Sequence, residues 1–195
     1  MKKNLVLIGM MGSGKSTIGR ILAKNTKKKF YDVDKIIERE INLKISEIFK
    51  NKGEIFFRKV EEKTSIQLLK STGNIIALGG GAFLNEKIRT ELKINSISVW
   101  LKWSPKFLIP RILNSKIRPI VSKLTEKDLV KLIDTRSKIY SKADYKINCD
   151  KLSEKDLMKL IDTRSKVYSK ADYKINCDKL NKNEILKKIL DIYNK

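Results

Sequence analysis

Residues Gly9-Met10-Met11-Gly12-Ser13-Gly14-Lys15-Ser16 fit the pattern G-x-x-x-x-G-K-[ST], a residue set suited to cradling phosphate. Its glycines let backbone N–H groups turn inward around phosphate oxygens. Lys15 is a cation with the reach to touch β- and γ-phosphates, and the Ser16 hydroxyl is a hard oxygen suited to Mg²⁺. The predicted nucleotide cradle is Gly12, Ser13, Gly14, Lys15, Ser16 and Thr17. The chemistry such a loop serves is the binding and transfer of phosphoryl groups from a nucleoside triphosphate.

Three further groupings could act beside it. Asp32-Val33-Asp34 puts two carboxylates one residue apart. Alone, such a pair is most often a solvated loop feature. Beside a phosphate loop, one can hold Mg²⁺ and the other can orient an attacking hydroxyl. In Phe57-Arg58-x-x-Glu61 the guanidinium can clamp a carboxylate bidentately, and Glu61, one helical turn on, can steady it. Gly79-Gly80-Gly81 follows an apolar run and lets a ligand approach the backbone closely. Arg111 and Arg118-Pro119 flank a polar stretch from Asn114 to Thr125, where an arginine could close over a transferring phosphoryl group.

These groups need a frame, and the pattern of the chain supplies one. The apolar, β-branched run Asn4–Ile8 precedes the phosphate loop, and a helical pattern follows it, the strand–loop–helix context that supports the motif. Further strands are predicted at Phe30–Val33, Asn74–Leu78, Ile97–Leu101 and Tyr145–Asn148. Helices are predicted at Lys15–Asn25, Lys35–Glu40, Ile45–Asn51, Glu54–Ser71, Glu86–Leu92, Pro105–Asn114 and Glu126–Lys142. Strands alternating with helices argue an α/β doubly wound parallel sheet, with ligands at the carboxyl ends of the strands.

Composition narrows the chemistry. The 195 residues suit a single domain, 1–195, and no apolar run approaches the roughly 20 residues of a membrane helix. The expected location is the cytoplasm. The formal charge is +22, supplied by 36 lysines and 8 arginines scattered along the chain. That distribution reads as compositional bias rather than a specific nucleic-acid surface, although the field would attract anionic substrates. With no histidine, acid–base work falls to carboxylate, lysine or tyrosine. The two cysteines, Cys149 and Cys177, form no metal-ligand spacing and no disulfide framework.

Residues 123–150 and 151–178 are a tandem duplication, identical at 25 of 28 positions; Thr125/Ser153, Val130/Met158 and Ile139/Val167 differ. Each unit reads as a helix followed by a short strand, and two units are too few for a solenoid. The duplication reads as a tolerated surplus copy.

Taken in order, the phosphate loop, Asp32-x-Asp34, Phe57-Arg58-x-x-Glu61, Gly79-Gly80-Gly81, and Arg118-Pro119 followed by Arg136-x-x-x-Tyr140-x-x-Ala143-Asp144 resemble the shikimate kinases. The resemblance spans residues 2 to about 150. It implies the three-layer P-loop kinase fold: a five-stranded parallel sheet of order 2-3-1-4-5 with helices on both faces and a lid near 112–125, to which this chain adds a duplicated helix–strand unit near the C-terminus. It implies a monomer that takes ATP and shikimate, uses Mg²⁺, and phosphorylates the shikimate 3-hydroxyl on the route to chorismate and the aromatic amino acids. By that resemblance Asp34 is the base and hydroxyl ligand, with Lys15 and Arg118 the other catalytic groups. Ser16 and Asp32 hold Mg²⁺, and Arg111 and Arg118 touch ATP. Arg58, Arg136, Gly79, Gly80 and Gly81 bind substrate. Competing readings are another small-molecule P-loop kinase and a non-catalytic ATP-binding relative. The family pattern has one arginine–tyrosine helix; this chain has two, carrying Arg136 and Arg164. Arg136 lies 18 residues after Arg118 and Arg164 lies 46 after it, so the expected occupant of the substrate site is Arg136. Two packings of the C-terminal helix, residues 183–193, are compatible with the sequence: displaced by the second unit, or restored beyond a bulge.

Overall fold

The computed structural model describes residues 3–114 and 124–150. The predicted lid arginine Arg118, the second repeat unit and the C-terminal helix lie outside these residues. Strand β1 (Asn4–Ile8) leads through the phosphate loop into α1 (Lys15–Thr26). Then come β2 (Phe30–Asp32), α2 (Val33–Ile41), α3 (Ile45–Leu69) and β3 (Ile75–Ala77). A short 3₁₀ turn, Ala82–Leu84, precedes α4 (Glu86–Asn95), β4 (Ser96–Lys102), α5 (Pro105–Asn114), α6 (Glu126–Tyr140) and β5 (Tyr145–Asn148).

The strands form one parallel sheet in the order β2-β3-β1-β4-β5, surrounded by helices. Every residue of β1 is buried, as an apolar run between two strand neighbours requires. Its polar first residue, Asn4, is satisfied: its amide donates to Leu69 O at 3.3 Å, and its oxygen accepts from Asn74 N at 3.0 Å. That pairing sets the start of β3 beside β1. At the other edge, Asp144 extends the β4–β5 ladder by one side chain. Its Oδ2 accepts Ser98 N at 2.8 Å and Ser98 Oγ at 2.7 Å.

Each strand predicted within the described residues is present, with its ends unchanged or moved by one residue; the strand predicted in the second repeat unit lies outside them. Val33 belongs to a helix rather than a strand. Asp32 explains the change: its Oδ1 accepts Lys35 N at 3.3 Å, so it caps α2 and starts that helix two residues earlier than periodicity indicates. The two predicted helices over 45–71 run together in α3 but are broken at Gly53 (φ 79°, ψ 168°), a left-handed backbone that favours glycine. The break lets Phe49 pack on Phe57 across the kink, with ring centroids 4.7 Å apart. Helix α6 opens with a reciprocal cap between Thr125 and Asp128. Among the described residues, no helix is long and apolar enough to cross a membrane.

Candidate active site

The carboxyl ends of β1, β2 and β3 open into a cleft of about 340 Å³, lined among others by Gly12, Lys15, Ser16, Asp32, Asp34 and Glu38. Its floor is the phosphate loop. Gly12 (φ 76°) and Gly14 (φ 86°) both occupy left-handed backbone, which the inward turn of N–H groups demands. Lys15 Nζ donates to Gly9 O and Met10 O, both at 2.9 Å, spanning the loop. Thr17 follows in the first turn of α1, whose N-terminus points into the cleft lining. Ser13 is fully buried, and its carbonyl accepts Trp103 Nε1 at 3.1 Å. Trp103 also lies under Arg111, whose guanidinium carbon is 4.0 Å from the ring centroid. Arg111 is thereby held against the loop: a Cβ on Gly12 would sit 3.4 Å from Arg111 Cβ. Trp103 is absent from the sequence reading, because nothing within its local pattern signals a partner 90 positions away.

The two carboxylates after β2 do different things. Asp32 accepts the Ser16 hydroxyl at 2.5 Å, joining the strand end to the phosphate loop. Two hard oxygens on one side of a phosphate cradle are the donor set that suits Mg²⁺. Asp34 sits in the first turn of α2 and faces the glycine run: a Cβ on Gly79 would lie 2.7 Å from Asp34 Oδ1 and closer still to Glu61 Oε1. The helix carrying Asp34 is tied to α3 by Glu38, whose Oε1 accepts Ile45 N at 3.1 Å and whose Oε2 accepts Lys35 Nζ at 2.7 Å. Burial pushes the Glu38 carboxyl up, but the Lys35 ammonium and the Ile45 N–H outweigh it and hold it below its ordinary value.

Arg58 is fixed as its i,i+3 spacing predicts: Nη1 donates to Glu61 Oε2 at 2.6 Å. Glu54, one turn earlier, adds bonds to Nε at 3.1 Å and Nη2 at 3.0 Å, a second clamp that the i,i+4 spacing would have revealed. Burial alone would loosen the proton on Arg58. The Glu61 and Glu54 carboxylates overcome that and hold the guanidinium charged. Gly81 abuts this group, since a Cβ there would lie 2.8 Å from Arg58 Cζ. On the far side of the run, Arg136 of α6 is buried, with Nη1 donating to Gly80 O at 3.4 Å. A Cβ on Gly80 would sit 3.3 Å from Met11 N, so the glycine run packs directly on the phosphate loop.

Of the sequence-predicted site residues within the described parts, the structure gathers Gly12 to Thr17, Asp32, Asp34, Arg58, Gly79, Gly80, Gly81, Arg111 and Arg136 around one cleft and its rim. A family model described as shikimate kinase matches residues 11–162. This chain belongs to the shikimate kinase family. It is similar to a shikimate kinase of Sulfurihydrogenibium sp. (strain YO3AOP1), with 38% identity over 148 residues, covering 76% of this chain and 89% of the relative. Its structure resembles the shikimate kinase of Acinetobacter baumannii in complex with shikimate, with TM-score 0.78 and 29% identity, covering 88% of this chain and 97% of that one. It also resembles the shikimate kinase of Aquifex aeolicus, with TM-score 0.71 and 33% identity, covering 84% of this chain and 98% of that one. The five-stranded parallel sheet in this order, with helices around it, is the P-loop kinase fold.

Proposed function

We propose that this chain transfers the γ-phosphoryl group of ATP to the 3-hydroxyl of shikimate, within aromatic amino acid biosynthesis. The observation that supports it best is the Gly79-Gly80-Gly81 run. It seats the Asp34 carboxylate and two buried or half-buried guanidiniums, Arg58 and Arg136, immediately beside the phosphate loop. A polyhydroxylated acid matches that set: guanidinium for its carboxylate, carboxylate for its hydroxyls. A nucleoside monophosphate acceptor offers no equivalent carboxylate for the pair.

Lys15 exchanges its contacts with Gly9 O and Met10 O for the β- and γ-phosphate oxygens. Asp34 accepts a hydrogen bond from the attacking hydroxyl and takes its proton as the new O–P bond forms and the bond to the leaving ADP oxygen breaks. Ser16 and Asp32 would hold Mg²⁺, which supplies charge neutralisation at the phosphates. Arg111 lies beside the nucleotide cradle, and Arg118 is assigned to the transferring phosphoryl group. The protein acts as a monomer in the cytoplasm, where ATP is available.

The test is ADP release from Mg·ATP, with and without shikimate. Shikimate-dependent release is the expected result, with kcat falling about 10²- to 10⁴-fold in Asp34→Asn. ADP release that ignores shikimate would overturn the reading.

A further inference from the structure

Two donors from α6 converge on one backbone carbonyl. The Tyr140 hydroxyl donates to Gly80 O, and Arg136 Nη1 donates to the same oxygen at 3.4 Å. Tyr140 is 1% exposed, and its ring is wedged between Phe83 (centroids 6.4 Å) and Trp100 (5.8 Å). Its hydroxyl also lies 3.8 Å from Met10 Sδ, which Arg136 Nη1 approaches at 3.9 Å. The Gly80 carbonyl is therefore gripped from the α6 side, while on its other side a Cβ at Gly80 would sit only 3.3 Å from Met11 N of the phosphate loop. The next residue, Gly81, backs onto the Arg58 guanidinium. One peptide unit, Gly80–Gly81, thus separates the two guanidiniums.

We infer that Tyr140 is a positioning residue. Its hydroxyl holds the Gly80–Gly81 peptide as the rigid spacer that sets the distance between Arg136 and Arg58, so that both meet one substrate carboxylate. This rests on the reading of those arginines as the carboxylate grip. When Arg136 turns from Gly80 O to a bound carboxylate, that carbonyl loses one donor. Tyr140, held by its ring neighbours, keeps the other in place. Without the hydroxyl, the peptide is free to rotate as Arg136 leaves, and the spacing of the pair is lost. The second repeat unit repeats the arginine–tyrosine spacing at Arg164 and Tyr168, but this inference concerns only the seated pair.

The experiment compares full-length wild type with Tyr140→Phe, which keeps the ring packing and removes one oxygen. The shikimate KM is expected to rise about fivefold to tenfold, the range of one buried hydrogen bond. The ATP KM and kcat should stay within about twofold, a split that general loosening of the fold would not produce. In an Arg136→Ala background the same change should weaken shikimate binding by less than it does alone, because part of what it positions is gone. A shikimate KM within twofold of wild type, parallel rises in both KM values, or full additivity with Arg136→Ala would each overturn the inference. Should Tyr140→Phe not fold, Phe83→Leu, which removes one wall of the ring wedge and leaves the hydroxyl, is read by the same split. A wild type that does not phosphorylate shikimate refutes the proposed function. A wild type that does, with Tyr140→Phe unchanged, refutes this inference alone.

Discussion

Replacing Gly81 with alanine isolates one contact of the site. Gly81 has φ −104° and ψ −17°, a backbone that alanine adopts freely, so no conformational strain enters. The added methyl would meet Arg58 Cζ at 2.8 Å and Nη2 at 2.9 Å. Ordinary carbon contacts lie at roughly 3.5–4.0 Å, so the guanidinium must withdraw by about 1 Å. It is half-buried against Phe57 and held by Glu54 on its exposed side, so withdrawal carries it toward Glu54 and away from Glu61. A hydrogen bond to a charged group is worth about 1.5–3 kcal/mol. Losing one to the substrate carboxylate therefore predicts a shikimate KM raised about 10- to 100-fold, with ATP KM unchanged. Weakening the Arg58–Glu61 contact, whose carboxylate is 2% exposed, predicts a lower thermal midpoint, by about 2–4 °C for each kcal/mol lost. Steady-state kinetics with each substrate varied, alongside a thermal melt, measure both. The decisive control is Arg58→Ala: with the obstructed group gone, adding Gly81→Ala should cost nothing further. A Gly81→Ala enzyme with wild-type shikimate KM, or an equal penalty in the Arg58→Ala background, would refute the steric reasoning.

Other perturbations test the rest of the cleft. Arg136→Ala should raise the shikimate KM by about two orders of magnitude through loss of a bidentate charge-assisted contact, whereas Arg164→Ala should leave it within about twofold; the same kinetic assay reads both. Glu38→Gln should lower stability by about 0.5–1 kcal/mol at neutral pH, through loss of the largely solvent-exposed Lys35 ion pair, measured by urea unfolding. The folded Glu38 carboxyl lies below its ordinary value of 4.5, so this stabilisation is complete above that value and fades as pH falls through the lower folded one. A gap between wild type and Glu38→Gln that persists at acid pH would contradict the assignment.

Much of the site was legible because its signals are local. The phosphate loop is defined by glycine, lysine and serine spacing within one turn. The Arg58–Glu61 pair follows from 3.6 residues per turn, and the alternation of apolar strands with amphipathic helices already implies a parallel sheet. Early capping by Asp32 and the kink at Gly53 shifted boundaries without altering the order of elements. What periodicity cannot encode is which distant groups share a space. Trp103 reaches Ser13 across 90 positions, and Arg136 reaches Gly80 across 56. Glu38 locks the start of α3, and Asp34, Glu61 and Arg58 meet over glycines chosen for having no side chain.

The duplication shows the division most sharply. Arg136 and Arg164 sit in units that differ at only three positions, so residue type cannot separate them, and the sequence offered only their distance from Arg118. Chemistry was set by the residues themselves: a phosphate cradle, a pair of carboxylates and guanidiniums for an anion. Where Arg136 sits was set by closure of the chain, as β5 pairs with β4, Asp144 locks onto Ser98, and α6 delivers Arg136 and Tyr140 to the Gly80 carbonyl; Arg164 lies outside the described residues.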